Sequence, residues 1–375
     1  MIMKRYLILF LMSVVAMACD PVNEEPPQFT EKQKTVLVYM VANNNLSSQA
    51  ENNLESMKKG FVPAEDNLLV YMHLVSSNPV LLHLYKDESG KAVQDTVYRF
   101  PPQNSADSKS LANVLKVSRT MFPAQEYGLV LWSHGTGWLP QGYYSKSFGS
   151  DAGKEMDVIE LAKALPCKME FVIFDACLMG GIEVAYELKD SVDYVLSSPT
   201  EILSQGFPYD KIMKHIFKTP IEMESVAREY FDFYNGQSGS YRSATVSLVK
   251  SSALDELAVE AARIFRNYGD NISNVDTLSI QRYYRGGKHW FYDLGGLVNS
   301  LSGGDDSAFR QALDKAVVYK DATPYFIEVP VAKSKYSGLS TYIPSPTADP
   351  VLLKYYANFK WSKDTGYLAT ETSQE

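Results

Sequence analysis

Cysteine is scarce: three thiols in 375 residues leave no room for a disulfide framework or a four-thiolate zinc site. Glycine and proline, at 22 and 18, are too few for a collagen-like or low-complexity chain. Cationic excess is missing too. The net charge is −8 and the isoelectric point about 5.3, which repels phosphate backbones, so no nucleic-acid partner is expected. The apolar run Tyr6 to Ala18 holds 13 residues, short of the ~20 that span a bilayer as a helix. What is present is ordinary for a globular protein: 45% apolar and 21% charged residues, in a chain long enough for one large domain or two.

Lys4 and Arg5 precede that apolar run, the order of a signal peptide. It ends Ala16-Met17-Ala18-Cys19, with small residues three and one before a cysteine, similar to a bacterial lipoprotein signal except that Ala16 stands where Leu is typical. Residues 1–18 are therefore expected to be removed and Cys19 to carry a lipid anchor to the membrane. The product would be an exported envelope lipoprotein. Residues 19–34, acidic and proline-rich, read as a flexible tether, and Glu24 and Glu25 beside the anchor suit display on the outer-membrane surface.

Beyond the tether, short apolar strands alternate with helical periodicity. Strands are expected at 35–42, 67–75, 127–133, 170–176 and 192–198, with a hairpin formed by 79–86 and 92–99. Helices are expected at 107–122, 157–165 and 181–188. Near-continuous apolar strands between helices predict an α/β fold, a mainly parallel sheet covered on both faces. Residues 35–250 form the expected main domain. Residues 251–375 read as a mixed α/β C-terminal subdomain packed on it, with a helix at 305–319 and strands at 325–332 and 339–343.

Open parallel sheets gather chemistry outside the carboxyl ends of their strands. Two strands run out there into reactive residues, one into His134-Gly135 and the other into Asp175-Ala176-Cys177. If they are neighbours, the imidazole and thiol meet. A thiol beside an imidazole suffices for nucleophilic catalysis, and the backbone amides of Gly135 and Cys177 can stabilise an oxyanion. Asp175, two residues before the cysteine, points to the same side. It can either hold a buried hydrogen-bond network or attract a cationic substrate side chain.

Leu131-Trp132-Ser133-His134-Gly135 together with Asp175-Ala176-Cys177-Leu178-Met179 resembles the clostripain family of cysteine peptidases, relatives of caspases, gingipains and legumains. Supporting text includes Ser197 to Glu201, Gly206 to Tyr209, Tyr292 to Leu294 and Gly338 to Pro344, so the likeness spans roughly residues 35–345. The resemblance implies a caspase-like fold, a His134/Cys177 dyad, and Asp175 in the pocket for the residue before the cut. It further implies cleavage of protein or peptide substrates after Arg or Lys, self-processing between His134 and Cys177, and calcium dependence in some members. Lys146, in a polar glycine-containing loop, is the candidate processing site. No cofactor is demanded by the residues. Calcium has no EF-hand-type cluster behind it, only loop carboxylates such as Asp151 and Asp157.

Plainer readings accompany these. A cysteine ending a strand is often a small buried apolar group, as expected of Cys167. His73, His83, His215 and His289 are expected to be structural, and the Tyr283-Tyr284 and His289 to Tyr292 aromatics to be packing. A silent surface lipoprotein that binds peptide or glycan, or a peptidase cutting after Asn, are the competing functions.

Overall fold

The computed structural model describes residues 29–60, 63, 65–140, 148–284 and 289–369. The signal segment, Cys19 and Lys146 lie outside these described residues.

Eleven residues, Lys32–Ala42, form strand β1. The tether expected through residue 34 therefore ends earlier. Lys32-Gln33-Lys34 has no apolar signature, yet Lys34 is fully buried, its Nζ 2.7 Å from Glu170 and donating to the carbonyls of Ile216 and Lys218. Helix α1 (Ser47–Lys59) follows, then β2 (Asn67–Leu74), the hairpin β3 (Val80–Lys86) and β4 (Ala92–Arg99), helix α2 (Ser108–Met121) and β5 (Ala124–Trp132). A short hairpin, β6 (Phe148–Asp151) and β7 (Lys154–Met156), precedes α3 (Val158–Ala164), β8 (Met169–Asp175), α4 (Ile182–Leu188) and β9 (Val192–Ser197).

Strands β1, β2, β5, β8 and β9 are mutually parallel and carry antiparallel strands on both flanks. Together they belong to a nine-stranded sheet. Side chains alternate across it as the pleat requires. Leu37, Tyr39 and Val41 enter the core shared with α2, α3 and α4. Val36, Val38 and Met40 enter the opposite one, shared with α1 and with α5 (Tyr209–Ile216) and α6 (Met223–Asn235). Strands buried on both faces explain the near-continuous apolar runs.

The C-terminal third differs from expectation. After β10 (Thr245–Lys250) and α7 (Leu254–Tyr268) come β11 (Tyr292–Asp293), α8 (Leu294–Ser302) and α9 (Ser307–Ala316). The helix expected to run to 319 stops at Ala316, because Val317-Val318-Tyr319 starts β12 (Val317–Ala322), where β-branched and aromatic residues favour extension. β12 pairs antiparallel with β10 and completes the main sheet. Residues after 250 thus pack on the sheet as expected, and they also add a strand to it and share its core. The strand expected at 325–332 is reduced to the pairs Tyr325–Phe326 and Val329–Pro330, and that at 339–343 to Ser340–Thr341. No helix among the described residues is long and apolar enough to cross a membrane.

Candidate active site

Register brings the two expected residues together. β5 and β8 are adjacent and parallel, with Trp132 opposite Asp175, so His134 and Cys177 each lie two residues past a paired position, at one sheet edge. Both line a single cavity of about 210 Å³. Cys177 is half-buried while its neighbours Ala176 and Leu178 are buried. Larger clefts of about 660 and 680 Å³ lie elsewhere, at Trp290 and Tyr342 and at Glu126 and Glu170; neither holds a thiol beside an imidazole.

The strand ends are locked. Ser133 Oγ donates to the Val41 carbonyl at 2.7 Å, and the His134 carbonyl accepts from the Gly149 amide at 2.9 Å. Gly135 cannot be another residue without rearrangement, since a Cβ there would lie 2.7 Å from the Cys177 carbonyl oxygen. After Cys177 the chain turns sharply: Leu178 adopts φ +63°, a left-handed conformation that costs a non-glycine residue of order 1–3 kcal/mol and clusters at functional sites. The turn is held by the Leu178 amide on Thr200 and the Gly180 amide on Ser198, at 2.8 and 2.9 Å. The Ile202 amide donates to Cys177 Sγ at 3.3 Å, the polarity an attacking sulfur anion requires.

Asp175 holds the buried hydrogen-bond network that is one of its two expected roles. It is buried and lines the same cavity. Its Oδ2 accepts from the Phe207 amide at 3.0 Å and the Tyr209 hydroxyl at 2.9 Å. Burial outweighs these two bonds and pushes the carboxyl up to about 6, so it is mainly anionic at neutral pH. Gly206 makes this possible: its φ is +70°, and a Cβ would lie 2.6 Å from Asp175 Oδ2. Glu201 also lines the cavity.

The residues considered for calcium are engaged by protein. Asp151 is buried and bonds His73, the Ser105 amide and Asn43, and Asp157 caps α3 and accepts from Tyr355. Among the described residues no group of three or more His, Cys, Asp or Glu side chains is arranged to hold a metal ion. Cys167 is half-buried against the core, and His215 sits between Glu222 and Glu229.

One neighbour of the site was invisible in the sequence. Asn45, in the turn after β1, has its Oδ1 2.8 Å from His134 Nε2. Its run Asn43-Asn44-Asn45 reads as any polar loop; its only signal is its place after a central strand, at the carboxyl edge.

Known proteins share this fold. The family model described as the clostripain family matches residues 38–372. Clostripain of Hathewaya histolytica is 28% identical over 219 residues, 48% of this chain and 42% of the relative, so the match spans about two fifths of that protein's length. A solved structure of an inactive zymogen C11 protease from Parabacteroides distasonis superposes with TM-score 0.81 at 33% identity, covering 90% of this chain and 99% of the other. A secreted C11 cysteine protease from Bacteroides thetaiotaomicron, solved with an irreversible peptide inhibitor, gives TM-score 0.79 at 30% identity, covering 89% and 99%. With the caspase-like fold of those neighbours and a family match over most of its length, the chain belongs to the clostripain family of cysteine peptidases.

Proposed function

We propose that the protein is an exported, lipid-anchored endopeptidase that cuts peptide bonds after Arg or Lys. Cys177 Sγ attacks the scissile carbonyl carbon and a tetrahedral oxyanion forms against the amides of Gly135 and Cys177. His134 carries the thiol proton to the departing amine, leaving a thioester on sulfur. Water then adds to the thioester, and the acid product and free thiol are restored. The observation that carries this reading is the common cavity of His134, Cys177 and Asp175 at one sheet edge.

Asp175 supplies the specificity. A buried carboxylate lining a cavity of about 210 Å³ suits one cationic side chain, and its burial strengthens the attraction relative to water. A substrate carboxylate would be repelled. Processing after Lys146 would free Ser147 as a new amino terminus, just before β6, which bridges to Gly135 through Phe148. Anchoring through Cys19 follows from the amino-terminal sequence, and the Bacteroides relative is described as secreted.

The test uses mature protein under reducing conditions with fluorogenic Arg and Lys amides. Turnover that is abolished by Cys177→Ala and by thiol alkylation supports the reading. A parent protein that cuts neither substrate, before or after limited proteolysis and with or without calcium, refutes it.

A further inference from the structure

The three asparagines after β1 form a frame. Asn43 Nδ2 donates to Asp151 Oδ1 at 2.7 Å. Asn44 Nδ2 donates to the Ser150 carbonyl at 2.7 Å and the Val41 carbonyl at 3.0 Å, while its Oδ1 takes the Leu46 amide at 2.8 Å. Ser47 Oγ closes the turn on the Ala42 carbonyl at 2.6 Å. Asp151 is fixed in turn by the Ser105 amide at 2.6 Å and His73 at 2.9 Å. Asn45 stands exposed at the tip of this frame, and its side-chain oxygen meets His134 Nε2 at 2.8 Å.

We propose that Asn45 is a positioning residue for the catalytic imidazole, its carboxamide oxygen accepting the Nε2–H of His134 so that Nδ1 is the nitrogen that exchanges the proton with Cys177. The proposal rests on the dyad reading above. An imidazole free to rotate or to switch tautomer spends part of its time unable to take the thiol proton; an acceptor on the far nitrogen fixes both ring and tautomer. The ring and its acceptor are referenced to one strand. Gly149 of β6 binds the His134 carbonyl, and Ser150 and Asp151 of β6 bind Asn44 and Asn43. The backbone that carries the imidazole and the turn that carries the carboxamide are therefore tied to the same strand.

The neutrality of the acceptor matters. A carboxylate at position 45 would favour the imidazolium and hold the proton longer, whereas a carboxamide orients the ring without adding negative charge. The other titratable groups lining the cavity are Cys177, Asp175 and Glu201, so macroscopic pH limbs belong to the set and are compared between variants rather than assigned singly.

The experiment measures kcat, KM and the pH dependence of kcat/KM on a fluorogenic Arg amide for the mature parent, Asn45→Ala, Asn45→Asp and His134→Ala. Asn45→Ala is expected to lose roughly 10- to 100-fold in kcat, by analogy with the loss on removing a partner that orients a metal-ligating histidine, with KM within about twofold. Asn45→Asp retains the acceptor. It is expected to recover most of the rate and to move the alkaline limb up by about one pH unit, as a carboxylate near an imidazolium does. Asn45→Ala turning over within about twofold of the parent overturns the proposal, as does Asn45→Asp being as slow as Asn45→Ala with unmoved limbs. His134→Ala inactive beside a fully active Asn45→Ala defeats the role of Asn45 alone. His134→Ala as active as the parent defeats the dyad reading, and this proposal with it.

Discussion

Replacing Asp175 by Asn keeps the shape and removes the charge. The carboxylate is buried, with Oδ2 held by Phe207 and Tyr209, so the variant can turn its amide oxygen toward those donors and present an NH₂ to the cavity. A guanidinium or ammonium about 4 Å from a carboxylate gains about 4 kcal/mol at an effective dielectric of ~20. Losing that attraction in the transition state corresponds to roughly a thousandfold in kcat/KM. The assay compares Arg and Lys substrates with an uncharged norleucine analogue of the same peptide. Asp175→Asn should collapse the preference for basic residues while leaving norleucine cleavage within about tenfold of the parent. The pH dependence adds a second reading. With the folded carboxyl at about 6, falling pH protonates Asp175, so the parent's kcat/KM on Arg falls about tenfold per unit below that point relative to norleucine, a limb absent in Asp175→Asn. An Arg-to-norleucine ratio that survives the substitution, or that is flat with pH in the parent, refutes the assignment of Asp175 as the specificity group.

The same carboxyl links to stability. Its folded value is raised from 3.8 to about 6, so its contribution is fully present below the unfolded value and is lost as pH rises through 6. The raised value amounts to about 3 kcal/mol against folding at neutral pH. Asp175→Asn is therefore expected to melt no lower than the parent at pH 8, and calorimetry showing a large drop there would contradict the burial argument. Gly206→Ala should lose Arg cleavage and about 1–3 kcal/mol of stability, because its φ of +70° and the 2.6 Å approach of its Cβ to Asp175 leave no room; unchanged melting and kinetics would remove the close-approach account. Lys34→Ala strips the partner from Glu170, whose carboxyl burial pushes up, and should cost about 3–5 kcal/mol in denaturant unfolding. Lys34→Ala combined with Glu170→Ala should recover part of that, and a double variant worse than the sum of the singles would argue against a coupled pair.

The central strands were legible because each is buried on both faces, and a run such as Glu170 to Ala176 has few other ways to satisfy itself. β6 and β7 were not. Phe148-Gly149-Ser150-Asp151 is too short and polar to announce a strand, and it is extended because Gly135 and Lys154 to Met156 pair with it. β12 was hidden at the end of an amphipathic helix, where Val317 continues the apolar period of α9. At the site, His134 and Cys177 could be found because each ends an apolar strand and has glycine nearby. The hydrogen bonds of Asp175 come from Phe207 and Tyr209, distant residues that no local spacing reveals, and Asn45 reaches His134 only through tertiary closure of the β1 turn.

The border between β5 and β8 falls between the imidazole and the sulfur. A single cut anywhere from residue 141 to 147 would turn that border into a seam between two polypeptides, one ending after His134 and the other beginning before Cys177. Five paired residues, Gly128 to Trp132 opposite Phe171 to Asp175, would then be an intermolecular contact. Such an enzyme would elute as one particle and separate into two bands only when denatured. Once melted, it could regain activity only by a second-order reunion of its halves, at a rate that rises with protein concentration.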